Sequence, residues 1–431
     1  MDIFRIEGPV KLSGSVRVNG SKNSALPIMA AALLAPGKST IKSVPYLLDI
    51  SVCEELLGSL GCKIERQPNR DLCIDATVID KPVGDYDIVR KMRASICILG
   101  PLLARCNRAE VSMPGGCAIG DRPVNLHIRG LEALGAKIHL KNGYIIAEAP
   151  NGLIGKPVFM GGPFGSTVLG TANVLMAAVL AKGRTVIESA ACEPEVSDLA
   201  NFLNKMGAKI TGIGSPHLII DGVKQLHSVE YEVIPDRIEA GTFMAAAAIT
   251  ESELTIEHCR LSDLMAVVDK LREIGVIVEP CTRTVQSDPE NEGCVVSRTG
   301  PLKPTDITTQ PYPGFPTDLQ AQFMSLLALA KGNSFVIEKI FPDRFMHVAE
   351  LNRMAADLRK EGQIVIVAGV DKLIAAPVMA SDLRASAALV LAGMAAEGTT
   401  IINRVYHIDR GYEKIEERLN PVGAKIFREK E

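Results

Sequence analysis

Residues 130–139 read GLEALGAKIH: an amphipathic helical run, a glycine at 135, a small residue, and the opening of a short strand. The phrase returns as LLGSLGCKIE around Gly61, FLNKMGAKIT around Gly207, KLREIGVIVE around Gly275 and RLNPVGAKIF around Gly423. Successive copies stand roughly 70 residues apart, with one gap of about twice that length, which ELNRMAADLR around Ala355 fills as a degenerate copy. A second phrase precedes each copy: an Ala/Leu-rich helix, a turn, then a β-branched strand. It reads AALLAPGKSTI with Gly37, AAVLAKGRTVI with Gly183, LLALAKGNSFVI with Gly332 and AGMAAEGTTII with Gly398, while MAAAAITESELTI and LGPLLARCNRAEV carry it without the glycine.

Helices such as the run from Ile28 to Leu34 are apolar on nearly every side, so they are expected to be buried on most sides. The glycine supplies the left-handed cap that stops the helix, and the Val/Ile/Thr run beyond it is a strand. Each unit of roughly 70 residues is then helix–strand–helix–strand with extra strands. Three units stacked around buried helices make one domain and six make two, an α/β class of fold. No GxGxxG follows the first strand and no GxxxxGK[ST] occurs, so neither a dinucleotide-binding sheet nor a P-loop is expected. The opening FRIEGPVKLSGSVRVNGSKNSALP is matched by a restart at YEVIPDRIEAGTF. The chain is therefore expected to cross between domains near residues 20–23 and 233–237. Residues 1–21 plus 235–431 form one domain, and 22–234 form the other, with the Cys117 loop.

A length of 431 residues agrees with two cores, and 47% hydrophobic residues with 4% aromatic and no Trp make those cores aliphatic. The net charge of −3 lacks the basic footprint of a nucleic-acid binder, so any anion site is a local cluster. No apolar run is long enough to span a bilayer, and the N-terminus reads as strand and turn rather than a signal peptide. Ten cysteines at spacings foreign to CxxC point to reduced thiols in the cytoplasm and against a structural zinc.

The stretch MPGGCAIGDRP, residues 113–123, holds three glycines and two prolines and reads as a loop. Cys117 sits near its centre, five positions before Arg122, where a nearby cation favours thiolate. A reactive thiol and a bland loop cysteine both suit that spacing. Cations recur at other junctions: Lys22 in NGSKNSALP, Arg93 in KMRASI, Arg344 in PDRFMHV, Arg384 in SDLRAS and Arg410 in HIDRGYE. Arg93 and Arg384 stand at helix starts, where a positive charge opposes the helix dipole unless an anion lies nearby. Together these cations point to a multiply charged ligand. Asp318 in FPTDLQAQF suits either a helix-start stabiliser or a general base. His347 and His407 read as structural residues.

In order along the chain, GSKNSALP, MRASI, PGGCAIGDRPVNLH, PDRIEAGTF, FPTDLQAQF, DRFMHV, DLRASAALVLAG and YHIDRGYE resemble the enolpyruvyl transferases that act on UDP-N-acetylglucosamine. The likeness runs from Met1 to about Phe427. It implies two domains of three repeats each, arranged as an inside-out α/β barrel. It also implies transfer of the enolpyruvyl group of phosphoenolpyruvate to the sugar 3′-hydroxyl with loss of phosphate, and no metal or organic cofactor. No nucleic-acid, membrane or obligate protein partner is expected. By position, Lys22, Arg122 and Arg410 match residues that bind phosphoenolpyruvate through its phosphate, and Arg344, Arg384 and Arg410 match its carboxylate side, with Asn23 beside them. Cys117 matches the cysteine that adds to phosphoenolpyruvate, and Asp318 the residue that deprotonates the hydroxyl. Asn23, Arg93, Arg122, Pro123, Val124, Asn125, Leu126, Asp318 and Ile340 match the UDP-sugar site, as do Gly162, Phe164 and Gly165 of the nucleotide loop. Departures fall at Leu48, where the family has Lys, at Asn125, where it has Asp, and in the loop GGPFGST, residues 161–167, which lacks the family's Lys. A transferase of the same fold acting on shikimate 3-phosphate is the nearest alternative, and the cysteine loop argues against it.

Overall fold

The computed structural model describes residues 2–114, 124–281 and 293–430. Among these the chain forms two compact units, one running from Gly20 to Ile234 and the other joining the residues up to Asn19 with those from Pro235 on. Gly20 and Ser21 group with the first of these, where the Ser21 amide donates to the Ile234 carbonyl at 2.7 Å.

In the unit from Gly20 to Ile234, the helices Lys22–Ala31, Leu99–Cys106 and Val168–Ala178 form the centre. Gly170 to Ala178 are all buried, so this helix carries no polar stripe because it has no wet side. Three four-stranded sheets wrap outside. In the first, Lys38–Lys42 pairs antiparallel with Leu72–Asp75, which pairs antiparallel with Lys63–Arg66, and Glu230–Glu232 joins in parallel at the other edge. The other two follow the same plan, around Arg108–Ser112 with Tyr144–Glu148 and around Arg184–Glu188 with His217–Asp221. Lys38–Lys42 buries Ser39 and Ile41 and leaves Lys38 in solvent, the alternation of a strand with one face on a core.

The other unit repeats this arrangement. Arg237–Ile249, Gln320–Leu327 and Leu383–Ala395 pack against one another at the centre. Its three sheets lie around Glu253–Glu257, Asn333–Ile337 and Gly398–Asn403. The N-terminal strand Asp2–Gly8 lies inside the last of these, between Gly398–Asn403 and Ile426–Lys430. Each unit is an α/β barrel with helices within and sheets without.

The recurring phrase has a physical counterpart. Gly61, Gly135, Gly207, Gly275 and Gly423 all take φ between 92° and 113° at the helix end, and Ala355 takes 65° in the corresponding phrase. Three of the phrases add a bracket in which an asparagine side chain both donates to and accepts from the backbone of the next strand: Asn204 with Ile210, Asn352 with Leu358 and Asn420 with Ile426. The short helix is thereby tied to the strand that follows it.

Candidate active site

In the unit that contains Pro235 onward, FPTDL starts a buried helix. Phe315 packs edge-on against Phe323, with ring centroids 4.9 Å apart, and Pro316 is extended. Thr317–Leu319 then makes one tight turn into Gln320–Leu327. That turn presents Asp318. Arg344 Nη1 donates to Asp318 Oδ1 at 2.7 Å, and Arg384 Nε donates to Oδ2 at 3.2 Å. Both carboxylate oxygens are thus fixed by guanidinium groups. The arginine side chains are 6% and 1% exposed, while Asp318 keeps 26%.

The supports of this triad are local. Buried Glu338 accepts from Thr309 Oγ1, Thr317 Oγ1 and the amides of Ile340 and Phe341. It therefore holds the turn that carries Ile340 toward Arg344, and the threonine that Arg344 Nη1 also reaches at 3.1 Å. Asp382 caps Leu383–Ala395 by accepting from the amides of Arg384 and Ala385, and its Oδ1 lies 3.9 Å from Arg344 Nη2. The positive charge at this helix start is therefore offset by Asp318 and Asp382. Arg384 stacks on the Tyr412 ring at 5.3 Å, and the Tyr412 hydroxyl shares hydrogen bonds with Thr242 and Gln322. Burial pulls the Arg384 and Arg344 guanidinium groups down, but Tyr412 and Asp318 outweigh it for Arg384, and Asp318 and Asp382 for Arg344, so both stay charged.

The same elements carry buried polar atoms with no hydrogen-bond partner among the described residues: Gln320 Oε1 and Gln322 Oε1, both ring nitrogens of His347, Ser381 Oγ, Arg384 Nη1 and His407 Nδ1. Each lies within a few residues of Asp318, Arg344, Arg384 or Arg410 in sequence. A buried unsatisfied group typically costs about 1–3 kcal/mol, so these atoms are ones that a polar ligand or water would stabilise by bonding to them. Arg410 itself ends the short helix Val405–Arg410 and is half-buried. Burial pushes His347 down to about 4, with Asp382 opposing and Arg344 reinforcing, so it is a neutral imidazole at physiological pH.

In the unit from Gly20 to Ile234, Ser21 caps the helix that begins at Lys22, and buried Lys22 Nζ lies 3.2 Å from Asp49 Oδ2. Asn23 follows, half-buried, and Arg93, also half-buried, opens the short helix Arg93–Ile98. Val124 is buried, Leu126 half-buried and Asn125 exposed at the start of Asn125–Ala133. Inside this region His127 Nδ1 lies 2.9 Å from Asn173 Nδ2, and Asn173 Oδ1 accepts from the Gly100 amide at 2.8 Å. The amide orientation makes His127 Nδ1 an acceptor. Gly161–Gly162 pairs with Gly165–Ser166 in a two-stranded hairpin, with Phe164 exposed at its tip. Leu48 is 47% exposed. Cys117, Arg122 and Pro123 lie outside the described residues.

The sequence reading missed Asp49, Glu338, Asp382, Gln322, Tyr412 and the His127–Asn173 pair. Asp382 carried a signal, an acid just before an apolar helix. Tyr412 and Gln322 carry none, because what defines them is burial against residues distant in sequence, Arg384 for Tyr412 and Thr242 with Tyr412 for Gln322. Among the described residues no three His, Cys, Asp or Glu side chains cluster so as to hold a metal ion.

A carboxylate gripped by two buried arginines, on a barrel turned inside out, is the setting of a group transferase for anionic substrates. The chain belongs to the family described by EPSP synthase (3-phosphoshikimate 1-carboxyvinyltransferase), whose model it matches over residues 6–419. Within that family it is 52% identical over 429 residues, 99% of each chain, to a UDP-N-acetylglucosamine 1-carboxyvinyltransferase of Methylacidiphilum infernorum. It is 51% identical to the protein of that name in Hydrogenovibrio crunogenus, over 99% of this chain and 100% of that one. Two solved structures share the fold. The enolpyruvyl transferase NikO from Streptomyces tendae has a TM-score of 0.88 at 24% identity, covering 99% of this chain and 98% of its own. EPSP synthase from Acinetobacter baumannii has a TM-score of 0.78 at 17% identity, covering all of both chains.

Proposed function

We propose that this chain transfers the enolpyruvyl group of phosphoenolpyruvate to the 3′-hydroxyl of UDP-N-acetylglucosamine and releases phosphate, the first committed step of peptidoglycan synthesis. One observation carries the reading: Asp318 is held at both oxygens by Arg344 and Arg384, in a chain alike over 99% of its length to relatives named for this activity.

In the addition step the sugar oxygen bonds to C2 of phosphoenolpyruvate, the hydroxyl proton leaves, and a proton is delivered to the methylene carbon C3. In the elimination step the C2–O bond to phosphate breaks, phosphate departs, and C3 loses a proton to restore the double bond. The net change is one enol ether and one phosphate. Asp318 takes the hydroxyl proton, and its partial exposure leaves it an edge toward solvent. Arg344, Arg384 and Arg410 hold the carboxylate of phosphoenolpyruvate. Lys22, Arg122 and Arg410 hold its phosphate, with Asn23 beside them, and stabilise the charge that develops on the leaving group. Cys117 adds to phosphoenolpyruvate and serves proton transfer and product release. Asn23, Arg93, Arg122, Pro123, Val124, Asn125, Leu126, Asp318, Ile340 and the loop positions Gly162, Phe164 and Gly165 hold the UDP-sugar. No metal or organic cofactor enters the scheme. We place the enzyme in the cytoplasm, a reading supported by nine described cysteines that are all free. Among the described residues no helix is long and apolar enough to cross a membrane.

The test is phosphate release from phosphoenolpyruvate by the purified protein. It should depend on UDP-N-acetylglucosamine. Release supported by shikimate 3-phosphate instead would overturn the assignment. Mass spectrometry after treatment with the epoxide phosphonate fosfomycin should find the label on Cys117, and label elsewhere would remove that residue from the scheme.

A further inference from the structure

We infer that Arg129 is the cation that receives the diphosphate of the UDP-sugar, standing over the Phe159 ring that fills the space a side chain at position 161 would otherwise take. The inference rests on the proposed UDP-sugar reading of the hairpin at residues 161–166.

A diphosphate needs cations or clustered amide donors to replace its water. The hairpin sequence GGPFGST, residues 161–167, contains no charged side chain. Arg129 supplies one from the neighbouring helix Asn125–Ala133. Its Nη2 donates to the carbonyl of Phe159 at 2.7 Å and to that of Gly161 at 2.8 Å, and its guanidinium stands over the Phe159 ring at 5.7 Å. Among the described residues these carbonyls are its only hydrogen-bond partners and it forms no ion pair. A guanidinium has five N–H donors, so the group is aimed by backbone carbonyls, and among the described residues no carboxylate pairs with its charge.

The local packing shows why it can reach. A Cβ on Gly161 would lie 2.6 Å from Phe159 Cζ and 2.9 Å from Cε1, so the absent side chain makes room for this ring. The ring in turn is the surface on which Arg129 rests. Gly162 is limited in the same way by Leu126, whose Cδ1 would stand 3.0 Å from a Cβ there. Position 161 has no left-handed backbone to exclude a side chain, and the Phe159 ring, 62% exposed, has open solvent to swing into. Gly161, Phe159 and Arg129 therefore act as one replaceable set: a cation delivered from the helix rather than from the hairpin.

Two substitutions separate charge from clipping. Arg129→Lys keeps the charge with poorer geometry, whereas Arg129→Gln keeps an amide donor for the carbonyls and loses the charge. With the full-length enzyme, Arg129→Gln should raise KM for UDP-N-acetylglucosamine by about tenfold and leave KM for phosphoenolpyruvate in place, and Arg129→Lys should stay within about threefold of the parent. Adding Gly161→Lys to Arg129→Gln should restore most of the lost KM, and the defect should shrink as salt rises. If Arg129→Gln behaves like the parent, or if Arg129→Lys is as impaired as Arg129→Gln and the lysine at 161 restores nothing, Arg129 is only a clip on the hairpin and the inference fails. Should the lysine-bearing protein not fold, the comparison of Arg129→Lys with Arg129→Gln decides alone. Activity of the parent with the UDP-sugar is measured first, so a failure of the functional reading shows there and not in the variants.

Discussion

Asp318 shows what a single side chain contributes. Its oxygens are held at 2.7 Å and 3.2 Å by two arginines that are almost wholly buried, and replacing it by Asn leaves those charges with less compensation. Asp318→Asn should lower kcat by roughly 10²–10⁴-fold. It should also lower stability, by about 1–3 kcal/mol because Asp318 is partly exposed. Phosphate release and urea unfolding on the same preparation check both, and a folded variant with parental kcat would remove Asp318 from the chemistry. His127 gives a pH signature instead. Burial and then Arg93 push its pKa down to about 4, against about 6.5 in an unfolded chain. On acidification the unfolded chain takes up the proton first. The stability His127 gives as a neutral acceptor is therefore complete above pH 6.5 and lost as pH falls toward 4. By pH 4.5 the loss is roughly 2–3 kcal/mol. His127→Asn preserves an acceptor toward Asn173 without a titrating ring, so its unfolding free energy should fall less between pH 7 and 4.5 by that amount. Equal slopes for variant and parent would show that His127 is not held neutral. At this scale the arginines were legible as residue types, but their pairing was not, since Asp318 lies 26 positions from Arg344 and 66 from Arg384. Only the folded chain brings those three together.

At the scale of elements, the sequence phrase and the structure meet in the turn between helix and strand. Gly135 takes φ 92° with nothing within 4 Å of a built Cβ, so an alanine there meets only backbone strain. Ala355 already holds φ 65° in the corresponding turn, where its amide donates to the Asn352 carbonyl at 3.1 Å. Gly135→Ala should cost about 1–2 kcal/mol. Ala355→Gly should be neutral or gain up to about 1 kcal/mol, because relief of strain exceeds the extra entropy of an unfolded glycine. Urea midpoints measure both, and a stabilised Gly135→Ala would sink the account. The α/β class was legible because a left-handed stop before a β-branched run leaves a mark in any single copy, and several copies make the mark readable. The strand order was not legible. The Asn brackets at Asn204, Asn352 and Asn420 join residues six apart in sequence, but the parallel edge pairing of Glu230–Glu232 with Lys38–Lys42 depends on a return over most of a unit. No local composition reports that register.

For the whole molecule, the two units differ in how they depend on chain continuity. Every strand of the three four-stranded sheets between Gly20 and Ile234 comes from that one uninterrupted stretch. The other unit borrows two strands from the N-terminus. Ser15–Arg17 forms an edge beside Glu253–Glu257, while Asp2–Gly8 is an interior strand whose Phe4 and Ile6 are fully buried. Removing an edge strand leaves a sheet shorter by one. Removing an interior strand breaks two ladders and opens a core, since Gly398–Asn403 and Ile426–Lys430 then share no neighbour. Burial of Phe4 and Ile6 stabilises by about 1.5–3 kcal/mol each, which is a large part of the margin of an ordinary domain. A fragment of residues 20–234 should therefore unfold cooperatively in urea with protected amides in its central helices. A fragment of residues 235–431 should be collapsed and non-cooperative, and addition of a peptide of residues 1–19 should restore a cooperative transition. Cooperative unfolding of the 235–431 fragment without the peptide would mean that the helices Arg237–Ile249, Gln320–Leu327 and Leu383–Ala395, rather than the completed sheet, determine whether that unit folds.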